Sequence, residues 1–190
     1  MSNALFSRIA GNRPRYSAFN LSYAQKFTAD IGVLYPVMCD EVVPGDVFEI
    51  GCEAVVRSNP MVAPVLDEIG YKVHYFFVPY RLLDSNWEEF ITGGKDGDDS
   101  SSLPVWTPSA AAKRNAGTLW DYLFGFAALT PETDSLPIDY PRRAYQFIWN
   151  EYYRDQNLQQ EIDWTQSPGT DVDVDSVALT GHGDEDLAAV

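Results

Sequence analysis

Histidine and cysteine are scarce in this chain of 190 residues, which carries only His74, His182, Cys39 and Cys52. A Ser-His-Asp arrangement would have to recruit one of the histidines, and no Gly-x-Ser-x-Gly elbow accompanies either. Cys39, Cys52 and His74 lack the close Cys-x-x-Cys pairing and the fourth ligand of a zinc site. Two cysteines are too few for a disulfide scaffold, so both are expected to be free and buried. Neither Gly-x-Gly-x-x-Gly nor a Gly-Lys-Ser/Thr ending occurs, which removes the common nucleotide enzymes. No window approaches the roughly 18 apolar residues of a membrane span. Met1 to Arg8 has no sustained apolar run of the kind a signal peptide needs, so a soluble protein made in the cytoplasm is expected. Glu88 and Glu89 are helix neighbours that do not face each other, a poor start for a glycosidase pair. Glu151 and Arg154 are spaced for an ion pair. The sequence therefore points to no enzyme, no cofactor and no metal.

Basic charge is also in short supply: 13 Lys+Arg against 28 Asp+Glu give a formal charge of -15. A surface that grips nucleic acid over its whole extent is excluded. The exception is residues 1–29, where Arg8, Arg13, Arg15 and Lys26 meet no acid and alternate with Tyr16, Phe19 and Tyr23. Arginine forks pair with phosphate and aromatic rings stack on bases, so Arg8, Arg13, Arg15, Tyr16 and Lys26 are candidate contacts to single-stranded nucleic acid. An arm packed on a neighbouring subunit is the equal alternative. At the other end, Asp171, Asp173, Asp175, Asp184, Glu185 and Asp186 meet no base. The Asp-Val-Asp-Val-Asp run fails as a calcium loop, because Ser176 stands where glycine is required and His182 where a bidentate glutamate belongs. Residues 165–190 are read as a solvated acidic loop, and Asp96 to Ser102 as a flexible polar one.

What is present is ample apolar and aromatic material: 45% hydrophobic residues, with Trp 5, Tyr 11 and Phe 10, in a chain of about one domain's length. Period-two alternation predicts strands over Phe27–Val33 and Val47–Arg57, the second entered through the Pro44-Gly45-Asp46 turn, and a third is expected over Tyr71–Val78, rich in β-favouring Tyr, Val and Phe and closed by Pro79. Helices are expected after a Ser85-to-Glu88 capping box with Gly93-Gly94 as its stop, from Thr118 to Gly125, and from Arg142 to about Leu158. The last carries Ala144, Phe147, Ile148 and Tyr152 on one stripe with Tyr145, Trp149 and Tyr153 beside it. Such a face must pack on a sheet or on another chain. Long, proline-bearing connections over 93–117 and 126–139 separate these elements. Strands joined by elaborated connections predict a mainly β, antiparallel jelly-roll sandwich with long inserted loops and a few short helices. Too few strands are countable for a closed sandwich of about eight, so the chain is expected to be the first part of a larger protein. No internal repeat is visible.

Three stretches then become recognisable together. They are Val42-Val43-Pro44-Gly45-Asp46 with the strand after it, His74-Tyr75-Phe76-Phe77-Val78-Pro79-Tyr80-Arg81-Leu82-Leu83 running on to Trp87-Glu88-Glu89-Phe90-Ile91-Thr92-Gly93-Gly94, and the sixteen residues Arg143 to Leu158. In this order and spacing, from about Phe19 to Gln160, they resemble the major capsid protein of the microviruses, small single-stranded DNA bacteriophages, and their gokushovirus branch in particular. The resemblance implies a jelly-roll coat subunit without enzymatic activity, assembling with copies of itself into a small T=1 icosahedral shell around circular single-stranded DNA. Minor virion proteins are further candidate partners, no membrane is involved, and assembly takes place in the bacterial cytoplasm. With the basic arm read from charge (1–29), the remainder is expected to be the first part of a single capsid domain (30–190) with an insertion over about 93–141. Trp87, Phe90, Phe147, Trp149 and Tyr152 become candidate subunit-packing residues. The competing readings are a jelly-roll carbohydrate-binding module using Trp106, Trp120 or Trp164, and a hydrolase on the same fold.

Overall fold

The computed structural model describes residues 15–63, 66–98, 101–105, 117–124 and 138–163. Helix α1 is a single turn, Tyr80–Leu83, entered from Pro79 and burying Leu83. Proline suits this place because its fixed φ leads into a helix and its missing N–H would have no partner there. Helix α2, Trp87–Thr92, follows after a short link and carries Glu88 and Glu89 in its first turn, where carboxylates oppose the positive end of the backbone dipoles. It stops at Gly93, whose φ of 80° is open to glycine at little cost. The Gly93 and Gly94 N–H groups both donate to the Glu89 carbonyl, at 2.8 and 3.1 Å, closing the last turn.

Helix α3, Leu119–Phe124, buries Leu119. Its Asp121 carboxylate accepts the Gly117 N–H at 3.0 Å, tying the incoming chain to the first turn. Helix α4, Tyr140–Ile148, has Pro141 in its first turn and continues without a break into a π-helical turn, Trp149–Tyr153. There the Arg154 N–H reaches back five residues to the Trp149 carbonyl at 2.9 Å. The extra residue per turn rotates the chain and places Trp149 and Asn150 inward. Helix α4 is the hub: α1 and α3 pack on it, and the π turn extends it. Trp149 and Ile162 form the buried apolar nucleus, with Leu34, Tyr145 and Tyr153 packed around it.

The expected antiparallel jelly-roll sandwich is not what the described residues form. None of them is in a strand. The stretches expected as strands, Phe27–Val33, Val47–Arg57 and Tyr71–Val78, take no regular secondary structure, and Val47 and Val55 are 92% and 91% exposed. The reason is that a period-two pattern describes a side-chain preference, whereas a strand exists only when a neighbour about 4.8 Å away completes its hydrogen bonds. The second and third segments do approach each other, since the Tyr75 hydroxyl feels the nearby Cys52 thiol, but no ladder forms between them. Cys39 and Cys52, expected buried, are both free and exposed for the same reason: no layer of the described chain covers them.

Smaller expectations also shift. The Pro44-Gly45-Asp46 turn forms, with the Asp46 N–H donating to the Val43 carbonyl at 3.0 Å and Gly45 at φ 100°. The capping box does not, because α2 starts at Trp87 with Asn86 before it and no side-chain cap. Asp84 does the local work instead, its Oδ1 accepting the Asn86 N–H at 2.9 Å. Arg154 donates Nη1 to the Gln159 carbonyl at 3.2 Å rather than pairing with Glu151. The helix expected over 142–158 begins at Tyr140 and ends, after its π turn, at Tyr153. Gly125 and residues 165–190 lie outside the described residues.

Candidate assembly surface

Helix α4 is held in place by a buried polar cluster at its start. Asp139, 1% exposed, accepts from Arg142 Nε at 2.7 Å, from Arg142 Nη2 and from Arg143 Nε at 3.1 Å. Arg142, 1% exposed, passes a third hydrogen bond from Nη1 to Gln146 Oε1 at 2.9 Å. A buried guanidinium is tolerated only when a carboxylate and further acceptors replace its water, and these partners do so. Arg143 then ties the cluster to α1 through Nη1 and the Leu83 carbonyl at 3.1 Å, while the Asp139 N–H donates to the Pro104 carbonyl at 2.9 Å. Sequence reading missed this. The face expected on the long helix was Ala144, Phe147, Ile148 and Tyr152 with Tyr145, Trp149 and Tyr153 beside it, but the buried residues are Tyr140, Arg142, Gln146, Trp149 and Asn150. The available signal was the i, i+3 and i+4 spacing of Asp139 with Arg142 and Arg143.

Asn150 acts as a second clamp. Its Nδ2 donates to the Ile162 carbonyl at 2.8 Å and its Oδ1 accepts the Ile162 N–H at 3.0 Å, so one side chain satisfies both backbone groups of the residue that packs on Trp149.

Tyrosines fasten the N-terminal half to this helical block. The Tyr145 hydroxyl donates to the Leu34 carbonyl at 2.7 Å, and burial, reinforced by Tyr153 and Tyr35, pushes its pKa well above the ordinary tyrosine value. Tyr80 is shifted the same way by burial and by the nearby Glu41 carboxylate. Tyr140 is shifted by burial and by its bond to Asp84 Oδ2 at 3.1 Å. All three are therefore neutral donors at ordinary pH. Tyr80 and Tyr140 stack with ring centroids 4.4 Å apart, and Trp87 meets both edge-on. Phe27, Tyr35 and Tyr122 form a second aromatic group.

A third group is presented outward. His74 lies parallel to Tyr153, with Nδ1 2.7 Å from the Tyr153 hydroxyl, and Tyr152 and Phe76 pack edge-on against it. Tyr152 and Phe76 are both exposed. With Ile31, Val43, Ile50, Tyr75 and Phe77, also exposed, they give residues 27–77 and the π turn a large uncovered apolar surface. Soluble monomers rarely leave so much apolar surface open.

Of the candidate packing residues, Trp149 is buried within the fold, Trp87 and Phe147 are half-buried, and Phe90 and Tyr152 face outward. Of the candidate nucleic-acid contacts, Arg15, Tyr16 and Lys26 are exposed, and Arg8 and Arg13 lie outside the described residues. Trp106 and Trp164 also lie outside them. Among the described residues no group of three His, Cys, Asp or Glu side chains converges as a metal site would require, and no helix is long and apolar enough to cross a membrane.

The comparisons with known proteins agree with the sequence motifs. The chain is 36% identical over 178 residues to capsid protein VP1 of Chlamydia phage 1, a match covering 88% of this chain and 29% of that protein. It is 33% identical over 171 residues to capsid protein VP1 of Bdellovibrio phage phiMH2K, covering 87% and 31%. With capsid protein VP1 of Spiroplasma virus 4 it shares 26% over 159 residues, 82% of this chain and 28% of that one. The chain thus spans about three tenths of the length of these relatives. No solved structure matches it. None of the relatives favours the carbohydrate-binding alternative. Residues 7–182 match the family of phage capsid proteins described as capsid protein (F protein), and the chain belongs to that family.

Proposed function

We propose that this chain forms part of the major structural subunit of a microvirus shell, in which copies of the subunit assemble into a small icosahedral particle enclosing circular single-stranded DNA. The reading is carried by the family match over residues 7–182. The uncovered apolar surface supports it, since a shell protein must bury such a surface against other parts of the subunit or its neighbours. The role is structural, the location is the virion, and assembly takes place in the host cytoplasm. Residues 1–29 serve as an arm directed to the DNA through Arg8, Arg13, Arg15, Tyr16 and Lys26, with phosphate pairing from the cations and base stacking from the ring. Minor virion proteins are further partners.

Electron microscopy of the nuclease-treated, high-molecular-weight fraction from the native source tests this, with the subunit identified by intact mass. Uniform particles protecting single-stranded DNA are expected, and a soluble monomer with no particles overturns the reading. In assembled particles, replacing Arg8, Arg13 and Arg15 with Ala should lower DNA content more than it lowers subunit folding. Equal DNA in variant and wild-type particles would remove the arm's role.

A further inference from the structure

A cavity of about 650 Å³ opens between α1, the link to α2 and residues 102–105. That volume lies within the roughly 300–1,000 Å³ usual for small-molecule sites. Its polar wall consists of Arg81, Ser85, Asn86, Ser102 and Arg143. Arg81 is exposed and forms no hydrogen bond or ion pair among the described residues. Arg143 spends Nε on Asp139 and Nη1 on the Leu83 carbonyl, which fixes its guanidinium in the wall and leaves Nη2 without a partner among the described residues. The Asp139 carboxylate is shared by the guanidiniums of Arg142 and Arg143, and with Arg81 three guanidiniums meet two carboxylates, Asp139 and Asp84, so this corner keeps a net positive charge in a chain whose net charge is -15. Asp84, the one acid in the wall, has both oxygens engaged, Oδ1 by the Asn86 N–H and Oδ2 by the Tyr140 hydroxyl. The remaining wall is apolar, with Leu82 and Val105 open to solvent beside Pro104.

We infer that this cavity holds one nucleotide unit of the single-stranded DNA, its phosphate on Arg81 and Arg143 and its base against Leu82, Pro104 and Val105. The inference deepens the shell reading and rests on it. Guanidinium forks match phosphate oxygens in a bidentate way, and the serine and asparagine side chains supply further donors. An aliphatic wall accepts any base, so the site positions the strand without reading its sequence.

The test uses assembled particles of the full-length protein. DNA is photocrosslinked in place, the particles are digested, and the crosslinked peptides are mapped. Crosslinks are expected on peptides containing residues 81–86 or 102–105, and Arg81→Glu should lower them about tenfold, as loss of a charge-assisted phosphate contact would, while Arg81→Lys retains most of them. Should Arg81→Glu fail to assemble, the wild-type map and Arg81→Gln decide. Wild-type particles with DNA but no crosslink in these peptides overturn the inference and leave the shell reading standing; no particles from the wild-type protein overturn the shell reading itself. As a second arm, protection of Arg81 from phenylglyoxal by a short single-stranded oligonucleotide supports the site. Protection by inorganic phosphate alone shows an anion pocket without a role for DNA and overturns the inference.

Discussion

Residues 15–79 and residues 80–163 use similar amounts of apolar side chain and reach opposite outcomes. Every fully buried residue among those described, from Leu83 to Ile162, lies in the second region. The first holds none, and most of its valines and aromatics are open to solvent. Hydrophobicity does not separate them. The second region is built of helices, each satisfying its own backbone within a few residues, so α1 to α4 close a core with few outside partners, Ile162 and Leu34 among them. The first region is written in a period-two pattern, whose backbone needs hydrogen-bond partners from elsewhere before burial can follow. It is held by its contacts with the helices, through Tyr145 with Leu34, Tyr153 with His74, Tyr122 with Phe27 and Tyr35, and Tyr152 with Phe76. The lesson is that self-sufficiency of the backbone, more than apolar content, decides which part of this chain packs.

That contrast sets the order of the expected mutational effects. Trp149→Ala should cost about 3–5 kcal/mol by removing the centre of the apolar nucleus, checked by urea unfolding of the 190-residue chain followed by helical circular dichroism. Asp139→Ala strands the buried Arg142 guanidinium and should cost a similar amount, about 3–5 kcal/mol; a loss under about 1 kcal/mol, the range of exposed ion pairs, would mean that the cluster is hydrated. Asn150→Ala leaves the Ile162 backbone unpaired on both sides and should cost about 1–3 kcal/mol, with Ile162 amide exchange rising in step. Gly93→Ala should cost about 1 kcal/mol because its φ of 80° disfavours a Cβ, although the space itself is open, the nearest atom being the Gly97 Cα at 3.6 Å. Val55→Thr should change the stability of this chain by less than about 0.5 kcal/mol, as expected at an exposed site. A large effect there would show that residues 15–79 are covered within this chain and would end the contrast.

Much of the second region was legible in advance. The glycine stop at Gly93-Gly94 and the short helix after Thr118 are local signals, and local hydrogen bonding reads them out directly. The buried face of α4 was not legible. A helical wheel ranks Arg142, Gln146 and Asn150 as outward, and only their partners Asp139 and Ile162, brought in by the fold, make burial affordable. The π turn was equally hidden, because it arises where Trp149 and Asn150 must both turn inward. The strands were overcalled from side-chain alternation alone, since nothing in Val47–Arg57 says whether a partner is in reach. The candidate DNA contacts Arg15 and Lys26 came from charge, while Arg81 and Arg143 drew no notice because their cavity joins segments sixty residues apart.

Family membership was settled by the sequence itself, through long motifs whose order and spacing chance does not reproduce, and so were the positions of the turns and helix stops, which depend on neighbouring residues only. Tertiary structure decided the rest: which face of α4 is buried, which tyrosines bind the N-terminal half, and where a positive cavity opens in an acidic chain. These depend on groups distant in the chain meeting within a few ångströms, and the free energy of a buried ion pair or an unpaired strand exists only once that meeting has occurred.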